Sequence, residues 1–170
     1  MRFFLCAGIL LTSAALYAGE PATAQLKGLE QLKKACAAVG TPVVLVNVWA
    51  VNCSHCMDEL TVLSTFAREQ FKDSGELGFL SVCLADDSQP DFNTRYAAVL
   101  NRKKLTYATY VWSGDLTVLQ KELRLDATPY TALFSSSGRL LDVLELPRGV
   151  KQAEEALRSA LKKATAASAK

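Results

Sequence analysis

Two cysteines separated by two residues, Cys53 and Cys56, are the part of this sequence best suited to do chemistry. They follow closely after the apolar run 43–48, so a strand is predicted to deliver both thiols to the start of a helix. At the first turn of a helix, free backbone N–H groups and the positive end of the helix dipole stabilise a thiolate. A second thiol one turn later can close a disulfide with it. The spacing therefore predicts a redox-active dithiol.

Two other uses of a closely spaced cysteine pair compete with this interpretation. A structural zinc site needs four ligands, whereas the sequence has one histidine and no second pair of cysteines two residues apart. A purely structural disulfide at this spacing would close a very small loop, which constrains the unfolded chain less than a long loop does. We therefore favour a dithiol that exchanges disulfides and holds no metal.

Two titratable residues, His55 and Glu59, lie beside the cysteines. His55 directly precedes Cys56 and can add a hydrogen bond or a positive charge near the Cys53 sulfur, which would make the disulfide more oxidising. An exposed turn histidine with little influence is the alternative. Glu59 follows Cys56 by three residues, so on a helix both share one face and Glu59 could accept the proton of the second thiol. A solvated surface glutamate is the alternative there.

Alternating helix and strand patterns surround the dithiol. Apolar residues at three- and four-residue steps predict helices, and short β-branched or continuous apolar runs predict strands. The predicted helices cover 26–39, 54–72, about 90–104, 116–123 and 150–164, with a frayed tail after 164, and the predicted strands cover 43–48, 78–85, 107–112, 130–134 and 139–146. This order predicts an α/β fold whose central mixed sheet has about five strands, parallel in its first part and ending in an antiparallel hairpin, flanked by helices.

The composition predicts a globular protein of one domain. The 170 residues are 50% hydrophobic and 21% charged, and the formal net charge is +2. A chain of this length can bury a substantial core but is too short for two domains of ordinary size. The nearly balanced charge implies no polyanionic partner, so no nucleic-acid binding is expected.

The first 24 residues have the pattern of a secretory signal peptide. Arg2 precedes an apolar stretch over 3–17, and the small residues 22–24 form a cleavage signal. An N-terminal membrane anchor is the alternative, but about 15 apolar residues fall short of the roughly 20 that span a bilayer. We therefore expect a signal peptide over 1–24, a mature domain over 25–170 and a periplasmic or otherwise exported location, where disulfides form and persist.

The sequence resembles the thioredoxin superfamily and, within it, the periplasmic TlpA/ResA-like thiol-disulfide oxidoreductases. Three features carry the resemblance: the run 44–50 ahead of the dithiol, the acid Glu59, and the segment 127–134 that leads into a hairpin with Gly138 at its turn. The resemblance implies a thioredoxin-like fold over the mature chain and an active-site role for Glu59. Asn47 stands where thioredoxin itself has a buried aspartate, which leaves Glu59 as the only obvious acid.

The resemblance also implies roles for the residues around the dithiol. Cys53 would be the nucleophile and Cys56 the resolving thiol that breaks the mixed disulfide. Pro129 would be a cis-proline facing the dithiol, and Thr128 before it would pair with an extended substrate through its backbone. Trp49 would border the active-site surface, although an aromatic residue after a buried strand is equally often part of the core. His55 would lie at the same surface.

Cys36 and Cys83 remain as two further thiols in the mature chain. Cys36 lies on the apolar face of the first predicted helix and Cys83 within a buried strand. They could form a second disulfide, but a free cysteine also packs as a small hydrophobic residue, and pairing needs Cα atoms within about 7 Å. We favour two unpaired thiols.

The function implied is disulfide exchange with client proteins, as a reductase recharged by a membrane electron donor. Maturation of apocytochrome c is one client class that the resemblance implies. A disulfide-inserting oxidase, motivated by His55, and a redox-sensing binding module without turnover are the alternatives. No cofactor is expected, because the two sulfur atoms carry the electrons themselves.

Overall fold

Helices and strands alternate along the described part of the chain. The structure is a computed structural model and describes residues 24–72, 74–86 and 88–168. In chain order the elements are β1 (Gln25–Leu26), α1 (Leu29–Ala38), β2 (Val43–Trp49), α2 (Ser54–Thr65), a π-helical turn (Phe66–Gln70), β3 (Leu77–Leu84), α3 (Phe92–Lys103), β4 (Ala108–Trp112), α4 (Leu116–Leu123), β5 (Tyr130–Ser135), β6 (Leu140–Leu144) and α5 (Val150–Ser168).

The strands form one mixed sheet in the order β1-β4-β3-β2-β5-β6. The first four strands of this order pair in parallel, whereas β5 is antiparallel to both β2 and β6. Every residue of β2 is buried, which is the expected property of an inner strand covered on both faces. The prediction of an α/β fold with a mixed sheet flanked by helices is confirmed.

Alternate side chains of β2 pack against helices on opposite faces of the sheet. Val46 belongs to a core cluster that includes residues of α1 and α4. Leu45 belongs to a second cluster, with residues of α2 and α5. Trp49, the last residue of β2, packs with Cys56 and with residues of α3 in a third cluster. The end of the strand that leads to the dithiol is therefore fixed in the core.

The short strand β1 corrects the predicted start of the first helix. Leu26 pairs with Trp112 of β4 and does not belong to α1, which begins at Leu29. The chain approaches Gly114 so closely here that a Cβ atom at this glycine would lie 2.3 Å from the carbonyl oxygen of Lys27. Leu26 is buried as a strand residue, so its apolar character did not distinguish a strand from a helix. Within the described residues the sheet has six strands, where about five were predicted.

Two other helices differ from their predicted bounds. The helix predicted over 54–72 is divided, because α2 ends at Thr65 and a π-helical turn follows, in which the N–H of Phe71 donates to the carbonyl of Phe66 at 2.9 Å. The last helix continues to Ser168, so the prediction of a frayed tail is wrong for 165–168. Alanine-rich sequence of this kind has high helix propensity.

The predicted signal peptide lies almost wholly outside the described residues, which begin at Ala24. Its cleavage and the anchor alternative therefore stay predictions. Within the described ranges, no helix combines the length and the apolar character needed to cross a membrane.

Candidate active site

Cys53 and Cys56 form a disulfide at the start of α2, with a sulfur–sulfur distance of 2.03 Å. Cys53 is the N-cap of this helix, and its sulfur accepts a hydrogen bond from the backbone N–H of Cys56 at 3.1 Å. Cys56 is completely buried, whereas Cys53 is half-buried. The sulfur that a client could reach is therefore that of Cys53, which fits the nucleophile predicted from the sequence.

The Thr128–Pro129 peptide bond is cis, as predicted. Pro129 lines a pocket of about 180 Å³ together with residues from the start of α2 and from the segment after β6. The pocket is lined by His55, Asp58, Glu59, Val62, Pro129, Leu146, Pro147 and Arg148. The cis-proline loop and the dithiol helix therefore meet at one concave surface. Thr128 is half-buried beside it, and its contact with a substrate stays a prediction.

Glu59 lies in the wall of this pocket and is held from the sheet side by two polar residues. Its Oε1 atom accepts a hydrogen bond from Asn47 Nδ2 at 2.9 Å and another from the hydroxyl of Thr131. Burial raises the pKa of the Glu59 carboxyl above its usual range, and the hydrogen bonds from Thr131 and Asn47 partly oppose this shift. Glu59 follows Cys56 by one turn of α2, so a carboxyl with a raised pKa lies on the dithiol helix, where it could serve as a proton acceptor.

His55 is exposed, and it contacts Arg148 from the segment between β6 and α5. Arg148 Nη2 lies 3.2 Å from His55 Nε2. A guanidinium can only donate, so in this contact Nε2 of His55 is the acceptor. The contact links the start of the dithiol helix to the far wall of the pocket.

The structure corrects the expectation that Trp49 borders the active-site surface. Its side chain has no exposed area, its ring stacks on Tyr96 at 5.9 Å, and its Nε1 donates to Ser81 Oγ at 2.7 Å. Trp49 is a core residue that packs in the same buried cluster as Cys56.

Cys36 and Cys83 are unpaired and buried, so the preference for two free thiols is confirmed. Cys36 packs in the cluster that includes α1 and α4, whereas Cys83 packs beside Trp49 and Cys56. Burial raises the pKa of Cys36 to about 11 and that of Cys83 to about 12. Across the described ranges, no three His, Cys, Asp or Glu side chains form a group that could hold a metal ion.

The two buried thiols should be inert in the folded protein. A pKa of about 11 for Cys36 and about 12 for Cys83 leaves very little thiolate at neutral pH, and neither sulfur is exposed. We expect iodoacetamide to modify Cys36 and Cys83 about a hundredfold more slowly than Cys53 in the reduced, native protein. Peptide mass spectrometry after timed quenching measures this. Rapid labelling of Cys83 without denaturant would contradict it.

Three residues at the site were missed as functional candidates: Asn47, Thr131 and Arg148. Asn47 and Thr131 each interrupt an otherwise apolar strand and are buried polar side chains. That interruption was the available signal, because a polar side chain inside a buried strand needs a partner. Arg148 carried no such signal, because it is brought to His55 only by the return of the hairpin.

Comparison of the sequence with protein-family models and with curated proteins gave no match. Similar solved structures were found. A thiol:disulfide interchange protein from Chlorobium tepidum TLS is 16% identical with a TM-score of 0.54, over 74% of this chain and 83% of that one. A thioredoxin-related protein from Neisseria meningitidis serogroup B is 18% identical with a TM-score of 0.56, over 72% and 87%. A secreted disulfide oxidoreductase of Mycobacterium tuberculosis is 13% identical with a TM-score of 0.51, over 74% and 84%.

These similarities show that the chain has a thioredoxin fold, as the resemblance implied. On that fold the chain carries a disulfide between Cys53 and Cys56 at the start of α2, and a cis-proline at position 129.

Proposed function

We propose that this chain is a thiol-disulfide oxidoreductase that exchanges disulfides with client proteins through Cys53 and Cys56. One observation carries the proposal: the disulfide at the start of α2 joins a partly exposed Cys53 to a buried Cys56, and the helix that carries it lines a pocket together with cis-Pro129. A disulfide kept only for stability has no need of an accessible sulfur beside a pocket. The thioredoxin-fold oxidoreductases to which the chain is similar support the same activity.

The proposed reaction runs through a mixed disulfide. In the reduced protein, the Cys53 thiolate attacks one sulfur of a client disulfide, and the other client sulfur leaves as a thiolate. Cys56 then loses its proton and attacks the Cys53 sulfur, which forms the Cys53–Cys56 bond and releases the second client thiolate. The client gains two electrons and two protons, and the dithiol becomes the disulfide seen in the structure. No further cofactor enters this balance.

Thr128 and the pocket are proposed to receive the client chain. The backbone groups of Thr128 would pair with an extended client segment, as strands do at a sheet edge. The pocket, which includes His55 from the start of the dithiol helix, would offer apolar walls from Val62, Pro129 and Leu146 to a client side chain. His55 and Arg148 would form its polar rim.

The direction of transfer is proposed to be reduction of the client. The oxidase alternative depends on His55 stabilising the Cys53 thiolate. Among the described residues, the His55 side chain bonds to Arg148 and makes no hydrogen bond to the Cys53 sulfur, whose donor is the backbone N–H of Cys56. This supports the reductase, which needs a less stable thiolate and a lower reduction potential.

The setting is proposed to be outside the cytoplasm. The leader pattern over 1–24 supports export, and one of the structures to which the chain is similar is described as secreted. An exported reductase needs electrons from across the membrane, so a membrane donor is part of the proposal. Apocytochrome c, which must be reduced before haem attachment, is the proposed client class.

Two measurements test this proposal. Equilibration of the mature protein with glutathione buffers gives the reduction potential, and a value near −270 mV, about that of thioredoxin, supports the reductase. A value near −120 mV, about that of a strong oxidant, would favour the oxidase. Catalysed reduction of insulin by dithiothreitol measures turnover. Client binding without any turnover would favour a redox-sensing binding module over an enzyme.

A further inference from the structure

A closed ring of hydrogen bonds holds one oxygen of Glu59. Asn47 Nδ2 donates to Glu59 Oε1 at 2.9 Å and to Thr131 Oγ1 at 3.0 Å, and the Thr131 hydroxyl donates to the same Oε1. The Thr131 hydroxyl therefore accepts a hydrogen bond from Asn47 and donates one to Glu59. Oε1 therefore accepts two hydrogen bonds, and these favour the charged form of the carboxylate.

In this arrangement the side-chain oxygen of Asn47 lacks a hydrogen-bond partner among the described residues. Its side chain is 1% exposed, and its Oδ1 atom is buried with no hydrogen-bond partner among the described residues. An apolar side chain at this place in β2 would avoid that cost, because buried polar atoms are normally paired. The amide is thus best explained by the donors of its Nδ2, which are both used.

The sheet fixes these donors in place. Asn47 lies directly opposite Thr131 in the antiparallel pair β2–β5, and directly opposite Ser81 in the parallel pair β2–β3. Thr131 is also 1% exposed. Because both donors belong to inner strands, the position of Oε1 is set by the backbone ladder of the sheet.

Other titratable and charged groups surround Glu59 from the elements packed around it. His55, Cys56 and Asp58 lie on the same helix, and Arg148 lines the same pocket from the segment after β6. Tyr107 lies close enough for its pKa, raised mainly by burial, to be raised further by the Glu59 charge, and its hydroxyl has no partner within the described ranges. None of these groups is among the hydrogen-bond donors to Oε1.

We propose that Asn47 and Thr131 are positioning residues: they hold Oε1 of Glu59 and leave Oε2 as the atom that takes up and returns the proton of Cys56. The inference rests on the proposed function and deepens it. In the resolving step, the Cys56 thiol gives its proton to Oε2, and the resulting thiolate attacks Cys53. The Cys53–Cys56 bond forms, the bond from Cys53 to the client breaks, and the client thiolate leaves with the electron pair.

The test is a pH profile of the resolving step. Reduced protein is mixed with one equivalent of dithiobis(nitrobenzoate) in a stopped-flow instrument; the first nitrothiobenzoate leaves as Cys53 is modified, and the second leaves as Cys56 displaces it. The rate of the second phase is measured against pH. The midpoint of this pH dependence that is lost in Glu59→Gln is assigned to Glu59. We expect Thr131→Val, which keeps the shape but loses the donor, to raise that midpoint by about one pH unit.

Asn47→Leu should shift the midpoint in the same direction, because it also removes a donor to Oε1. Thr131→Ser keeps the hydroxyl and should keep the wild-type midpoint. Ser81→Ala is the matched control, since it removes a buried hydroxyl from the next strand that bonds to Trp49 and not to Glu59. Circular dichroism confirms that each variant is folded.

The outcomes separate this inference from the function on which it depends. A slower second phase with an unchanged midpoint in both Thr131→Val and Asn47→Leu would overturn the positioning role. An equal shift in Ser81→Ala would overturn it as well. Failure of the wild-type protein to release the second nitrothiobenzoate would remove the proposed function itself.

Discussion

Cys53→Ser should lower the rate of disulfide exchange by about a thousandfold or more, whereas Cys56→Ser should still attack a client and accumulate the mixed disulfide. The asymmetry follows from the structure, since Cys53 is the accessible sulfur and Cys56 is completely buried. Loss of a nucleophile removes the covalent route altogether. Loss of the resolving thiol stops the reaction after its first step. Non-reducing gels and intact-mass spectrometry with insulin as client measure both.

The loss in Cys53→Ser is expected to be chemical and not structural. Cys53 caps α2, and its sulfur accepts the backbone N–H of Cys56. Serine is among the preferred N-cap residues, so its hydroxyl can accept the same hydrogen bond. Circular dichroism and the melting temperature of the reduced protein should therefore change little. Cys56→Ala controls for the polar group that Cys56→Ser buries.

Two outcomes would contradict this assignment of roles to Cys53 and Cys56. If Cys56→Ser formed no mixed disulfide with insulin and Cys53→Ser did, the roles of the two sulfurs would be reversed. If neither variant lost exchange, another thiol would be the nucleophile. The buried positions of Cys36 and Cys83 make that outcome unexpected.

The placement of the dithiol at the start of a helix could be predicted from the sequence because it is a local property. The cysteine spacing, the strand before it and Glu59 one turn further on lie within a single stretch of chain. The cis form of Pro129 was predictable only through the family resemblance, since most peptide bonds before proline are trans. Strand and helix order followed from periodicity, which is also a local property.

What the sequence did not predict depends on contacts between distant segments. The strand β1 exists because Gln25 and Leu26 pair with β4, and two residues carry no periodicity of their own. Arg148 reaches His55 across 93 positions of sequence. Asn47 appeared only as the absence of an acid, because its role needs Thr131 from a strand 84 positions later.

The burial of Trp49 also could not be predicted from local sequence, because the last residue of a strand can face either the core or the surface. Helices α2 and α3 close over this end of β2, and Trp49 is covered by residues such as Leu60 and Tyr96. A sequence pattern gives the face of the strand but not how far the helices extend over it. The two interpretations of Trp49 therefore lead to different mutational results.

Trp49→Ala should destabilise the protein by about 3–5 kcal/mol, the range for removing a fully buried large aromatic side chain. The variant loses the stacking on Tyr96 and the hydrogen bond to Ser81. Urea unfolding, analysed by linear extrapolation, measures the free energy of unfolding. A residue that bordered the client surface would instead leave stability unchanged and weaken client binding.

A milder pair of variants separates the hydrogen bond from the packing. Trp49 and Trp112 are both buried, but Trp49 Nε1 donates to Ser81, whereas Trp112 Nε1 has no partner among the described residues. Trp49→Phe should therefore cost about 1–2 kcal/mol more than Trp112→Phe, because only the first leaves a buried hydroxyl without its donor. Equal losses in the two variants would show that packing alone accounts for Trp49. In either case the rate of exchange by the folded fraction should stay near that of the wild-type protein, since neither ring reaches the pocket.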